Sequence, residues 1–270
     1  MDFAAFKLNV FRAPARSTTK FIQRRENTMK KLLALLCTLG IAQPATAASI
    51  STLQALGQAD FRTLSEDLGA ALSYKPVTPA APLGVTGFDL GIEVTQTDMS
   101  RSSQIWSKAT NGGSSISNLY VPKLHIDKGL PFGIDIAAFY SKIPTTNISL
   151  YGGELRYAIL DGGLAEPAVA IRGSYTKLGG VDQLSLDTKG LDISISKGFA
   201  MFTPYAGVGE VWVNSSANVT GAGGVPLSQS FTQGKVFAGA NLNLGFSNLA
   251  AEIDRTGGIQ SISAKLGFRF

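Results

Sequence analysis

The sequence predicts an all-β chain: a closed antiparallel transmembrane β-barrel of about ten strands, with eight to twelve admissible, preceded by a short helix. Three observations predict it. The last nine residues, Ile262 to Phe270, alternate apolar with small or charged side chains and end on an aromatic; similar alternating segments recur upstream, divided by compact turns; and an export signal lies near the N-terminus. Strand side chains point alternately to opposite faces, so one face of each segment suits lipid and the other suits water.

Residues 1–28 precede a complete signal peptide, and two readings stand. Either the start is placed too far upstream and Met29 is the true first residue, or the segment is an extended n-region or transit peptide, because Lys7, Arg12, Arg16, Lys20, Arg24 and Arg25 face only Asp2 and Glu26. Residues 29–47 read as the signal itself. Met29-Lys30-Lys31 is the charged start, Leu32 to Ala42 the apolar stretch, and Ala45-Thr46-Ala47 the small-x-small site, with cleavage after Ala47. The apolar stretch is far shorter than the roughly 20 residues of a spanning helix. Leu36 ahead of Cys37 is not the small residue a lipoprotein signal needs.

Removing residues 1–47 takes away eight of the 24 Lys and Arg and two of the 19 Asp and Glu, leaving 16 against 17 and a net charge of −1. The basic balance of the whole chain therefore carries no nucleic-acid signal. Cys37, the only cysteine, leaves with the signal, so no disulfide or thiol chemistry is expected.

Residues 48–84 predict a periplasmic amphipathic helix and a Pro-rich linker. Leu53, Leu56, Phe61, Leu64, Leu68 and Leu72 recur at helical spacing, Thr63 to Glu66 has capping-box form, and Pro76, Pro79 and Pro82 impose an extended path. Such a helix would pack on the barrel rim, plug the lower mouth or dock on a partner.

Residues 85–270 form the barrel. Phe88, Leu90, Ile92 and Val94 alternate with Asp89, Gly91, Glu93 and Thr95, and the same beat returns around Leu124, Ile134, Leu155, Val169, Leu191, Val211, Val236, Leu249 and the terminal Leu266. Short turns near 127–131, 160–164, 196–199 and 245–248 fall on the side of the C-terminus, taken as periplasmic. The longer connections 98–115 and 214–230 fall on the opposite, extracellular side, which is the asymmetry of outer-membrane barrels. Gly152-Gly153 and Gly190 mark places where bulges are expected. An exported soluble sandwich also alternates. Against it stand the lack of disulfides, the aromatic terminus and the near-unbroken apolar set on one face.

The signal peptide, the alternating strands and the closing Phe268-Arg269-Phe270 resemble bacterial outer-membrane β-barrels of the small OmpA-like or porin-like kind, over roughly residues 85–270. The resemblance implies residence in outer-membrane lipid and insertion by the barrel-assembly machinery, with Phe268 and Phe270 as the assembly signal. No cofactor is expected, and the sequence leaves the oligomeric state open while favouring a monomer.

Charged strand positions are taken as inward: Asp89, Glu93, Asp127, Asp135, Glu154, Asp192, Glu210, Glu252 and Asp254 against Lys123, Arg156, Arg172, Lys235, Lys265 and Arg269, with His125 among them. Mixed signs predict an ion-pair network in a narrow lumen, since a barrel of this strand number is just wide enough for its own side chains. The sharper alternative is a narrow channel whose acidic excess favours cations. Enzymatic function is not expected. His125 is the only histidine and sits toward the periplasmic end beside Asp127, without evident substrate access or a second metal ligand. The function expected is therefore structural or surface-interacting, with binding through loops 98–115 and 214–230 and Trp106 as the recognition candidate.

Overall fold

Ten antiparallel strands hydrogen-bond in sequence order, and β1 closes on β10. They are β1 Phe88–Asp98, β2 Asn118–Gly129, β3 Ile134–Lys142, β4 Ser149–Asp161, β5 Ala168–Gly179, β6 Leu184–Ser196, β7 Phe202–Thr220, β8 Pro226–Leu244, β9 Ser247–Thr256 and β10 Ile259–Arg269. The computed structural model describes residues 50–112, 115–143, 146–163 and 165–270. The predicted leader, its cleavage at Ala47 and the segment 1–28 lie outside the described residues. No helix among the described residues is long and apolar enough to cross a membrane, so the strands carry any crossing.

The outer wall is apolar. Leu90, Ile92, Val94, Leu124, Ile126, Ile136, Leu155, Ile171, Leu191, Ile193, Val208, Val236, Ile253 and Ile262 all point outward and are exposed. Aromatics border this band at both ends. Phe132, Phe199, Phe202, Phe246, Phe268 and Phe270 ring the end that carries the C-terminus, here called the base, and Tyr140, Tyr151, Tyr175 and Trp212 ring the far end. An apolar exterior between two aromatic belts is the surface of a membrane-spanning barrel.

The barrel is wider than its strand number alone suggests. Following the pairings once around from Leu244, through Phe268, Leu90, Gly153 and Lys189, returns to β8 at Thr232, twelve residues from the start. A stagger that exceeds the strand number tilts the strands to about 40° and widens the interior. The register shifts lie between Ala158 and Leu160 and between Ser216 and Thr220, not at the glycine positions singled out from sequence.

The extra width is filled by the chain itself. A 3-10 turn at Leu53–Ala55 leads into helix α1, Gln58–Leu72. Ser51 and Thr52 donate backbone N–H groups to Ala109 O, and Leu53 N–H donates to the Gln183 side chain, all at the far end. Farther down, Ser65 meets Ser215 of β7 at 2.9 Å, and Thr176 of β5 donates to Leu72 O. Residues 73–84 then run to the base, where Lys128 donates to Val85 O and Phe88 exchanges backbone hydrogen bonds with Phe270.

This corrects three readings. The helix lies within the barrel toward the far end, not at the mouth beside the C-terminus where the sequence reading set it. It begins at Gln58 behind Gly57, so Thr63 is inside the helix, donating to Ala59 O, and does not cap it. The connection 214–230 is mostly strand, because β7 and β8 continue as a hairpin to a tip at Gly221–Val225, while 98–115 contains a second helix, α2, Ser103–Ala109.

Candidate functional site

Among the described residues, buried chemistry concentrates in the lumen, which has two layers. The far half is an apolar core. Phe61, Leu64, Leu68 and Leu72 of α1 are buried with Leu53 and Leu56 against inward side chains of the wall, among them Val121, Leu150, Leu178, Leu186, Val211 and Val213. At roughly 1.5–3 kcal/mol for each fully buried large apolar side chain, those six helix and turn residues alone hold α1 in place by on the order of 10 kcal/mol of transfer free energy. Gly69 is needed at the closest approach, since a Cβ there would press on both γ-carbons of Val213.

The half toward the base is polar. Arg172 bridges Glu154, at 2.5 Å, and Asp192, at 2.9 Å. Lys123 pairs with Glu93 at 2.6 Å, and Asp89 accepts from Arg269 and Lys265. Arg156 pairs with Asp135 at 2.6 Å and also donates to Pro79 O and Thr78 Oγ1 of the descending strap, 73–84. Every predicted lumen residue of the wall named so far is buried, save Arg269, which is partly open at the rim.

The strap accounts for the acidic excess of the wall. Lys75, which is fully buried, pairs with Asp254 at 2.9 Å. Val77 N–H donates to Glu252 and Leu83 N–H to Asp135, while Ala80 N–H donates to Ser196. Lys235 closes the set by donating to Tyr74 O. A chain inside a barrel has no ladder partner, so each backbone donor must find a side chain or go unmet. Pro76, Pro79 and Pro82 remove three such donors. Near the base a Cβ on Gly129 would collide with Gly84 O, so only glycine lets the strap pass β2.

His125 contacts the strap as well. Its Nε2 lies 2.6 Å from Tyr74 Oη, and its Nδ1 lies 3.4 Å from Asp127 Oδ2. The three groups are buried, so the cluster holds the strap and offers no open face to a substrate.

At the far end, charges on α1 meet the connection after β1. Arg101 donates to Glu66 at 2.7 Å, Ser102 N–H donates to Asp67 at 3.0 Å, and Lys108 donates to Asp60 at 3.0 Å. Burial alone would raise the Glu66 carboxyl, but the Arg62 and Arg101 guanidinia override it and leave it below its ordinary 4.5. For Asp67 burial wins over its hydrogen bonds to Ser102, and the carboxyl sits above its ordinary 3.8.

Two predicted residues are placed elsewhere. Glu210 points outward, because Val211 and Val213 on either side of Trp212 turn inward to pack on α1. Trp106, the predicted recognition residue, is fully buried in the apolar core and presents nothing to solvent. Tyr74, Lys75 and Thr78 escaped the sequence reading. Lys75 carried a signal all the same: it is the only charged residue between Asp67 and Asp89, next to a proline.

A family model, a family of unknown function (DUF6588), matches residues 83–270. The chain belongs to this DUF6588 family. Its match starts at the foot of the strap and takes in all ten strands. No curated protein matches. Among solved structures, this DUF6588 chain is similar to the N-terminal β-barrel domain of Pseudomonas aeruginosa OprF, at 15% identity over 69% of this chain and 99% of that one, with a TM-score of 0.37. It is also similar to Neisserial surface protein A, at 11% identity over 68% and 96%, with a TM-score of 0.30. The translocator domain of the autotransporter NalP from Neisseria meningitidis is 10% identical over 82% and 99%, with a TM-score of 0.36. The architecture of this family member, a closed ten-strand barrel with an apolar exterior, is that of the outer-membrane β-barrels.

Proposed function

We propose that this DUF6588 protein is an integral outer-membrane β-barrel with a structural or surface-interaction role, exported by a cleaved signal and closed to solutes by its own N-terminal segment. The observation that carries the reading is the course of residues 50–84, which run through the lumen from the far end to the base. With the base toward the periplasm, the cap made by α2, the turn at Leu53–Ala55 and the β7–β8 hairpin faces outward. Partners would meet that cap, not Trp106 beneath it.

The channel alternative would require α1 to leave its apolar bed. Of the carboxylates that suggested a cation path, Glu210 faces outward, and Asp135, Glu154, Asp192, Glu252 and Asp254 are engaged by Lys75, by strap N–H groups and by the wall's own cations. The test is conductance of the full chain in planar bilayers. Silence over many insertions is expected, with steps appearing after residues 50–83 are deleted; reproducible steps from the intact protein would overturn the closed-lumen reading.

A further inference from the structure

Glu210 is a carboxylate on a wall built for lipid. It points outward one position toward the base from Trp212, above the apolar run Val208, Ala206, Pro204 and Phe202. It makes no hydrogen bond or ion pair among the described residues. Charges on the lipid face of a barrel carry a cost that is largest at mid-depth and small beside an aromatic belt, so Glu210, next to Trp212, can stay ionised and take a cation from outside the molecule.

Its surroundings are bare. Along the ladder Glu210 pairs with Leu191 of β6 and Gly234 of β8, and Leu191 pairs with Gly173 of β5. A Cβ on either Gly173 or Gly234 would meet nothing within 4 Å, so packing inside the molecule demands neither glycine. A shallow apolar depression of about 400 Å³, lined by Ile171, Leu191, Ile193, Val208 and Trp212, lies beside the carboxylate.

One cation is placed to match it. Lys189 of β6 points outward and pairs with Trp212, so Lys189 and Glu210 are diagonal neighbours on adjacent strands, and no ion pair joins them among the described residues. With strands tilted by about 40°, the line from Trp212 to Leu191 runs close to the barrel axis and the line from Lys189 to Glu210 runs across it. A two-fold axis along the membrane normal, passing by Trp212 and Leu191, would set Lys189 of each copy opposite Glu210 of the other. An isologous contact requires this reciprocity.

We propose that two copies of this chain pair in the membrane through the outward face of β6 and β7, with two Lys189–Glu210 ion pairs across the contact and Leu191 beside the axis. The bare glycines at positions 173 and 234 let the walls approach. An ion pair within a single copy, or an amine-bearing lipid headgroup on Glu210, would leave the protein monomeric.

The full chain carries one cysteine, Cys37, so Leu191→Cys in a Cys37→Ser background reports the contact by oxidative cross-linking in native membranes. Expected is a cross-linked dimer at least tenfold above that from outward Leu90→Cys on β1. Glu210→Lys or Lys189→Glu alone should abolish it, and the double swap should restore it. Glu210→Gln serves if a swap fails to fold, and heat-modifiable gel migration shows which variants fold. No excess over Leu90→Cys, or cross-linking indifferent to the folded single variants, would overturn the proposal.

Discussion

Tyr74 Oη lies 2.6 Å from Nε2 of His125, and this contact joins the foot of the lumenal helix to the inner wall of β2. The tyrosine ring also packs on Phe139 of β3, with centroids 5.7 Å apart. Tyr74→Phe keeps that packing and strands the imidazole nitrogen in a buried site. The expected loss is about 1–3 kcal/mol. Chemical unfolding of the refolded protein measures it, and faster amide exchange in residues 73–84 than in the strands shows where the loss falls.

Lys75 and Asp254 should behave as a unit. Removing one partner leaves a bare charge inside the barrel, so Lys75→Met alone is expected to cost about 3–5 kcal/mol, whereas Lys75→Met with Asp254→Leu should recover most of it. A double-mutant cycle on unfolding midpoints checks the coupling. Simple additivity would mean the pair does not hold the strap.

Trp106 is a core residue of the cap. Trp106→Ala is expected to cost about 3–5 kcal/mol. Trp106→Phe should cost far less, because the indole nitrogen has no hydrogen-bond partner to lose. A loss of partner binding in Trp106→Phe at unchanged stability would return the residue to a recognition role.

Acid should loosen the cap. The Glu66 carboxyl is held below its ordinary value, so its contribution is present above about pH 4.5 and is lost as pH falls through the depressed value. Asp67, raised above its ordinary value, shifts the balance the opposite way, favouring the folded cap at low pH. Arg101 is half exposed, so the net effect stays below about 1 kcal/mol. The protection factor of the Ser102 amide, referred to the intrinsic exchange rate at each pH, should fall from pH 6 to pH 3 in the wild type by less than about fivefold, and should hold or rise in Glu66→Gln, where only Asp67 still titrates.

The start of the lumenal segment should be reachable from outside the cell. An epitope placed immediately ahead of Ile50 is expected to bind antibody on intact cells, because Ser51 and Thr52 bond to Ala109 at the end opposite Phe270. Labelling only after permeabilisation would reverse the orientation.

The sequence by itself determined the barrel. Period-two alternation from Phe88 to Phe270 separates an apolar wall from a polar interior, and that needs only the local geometry of strands. It also marked the charges that meet inside, from Asp89 to Arg269. Only the tertiary structure decided what fills the interior. Helical spacing in residues 53–72 is the same for a helix on a rim and a helix in a lumen, and the stagger that makes room is a property of the closed sheet. Once α1 lies inside, apolar no longer means outward: Val211 and Val213 turn in to meet it, Glu210 is left on the lipid face, and Trp106 is buried beneath the cap. The rule that places apolar residues toward lipid fails where the protein supplies a second apolar surface of its own.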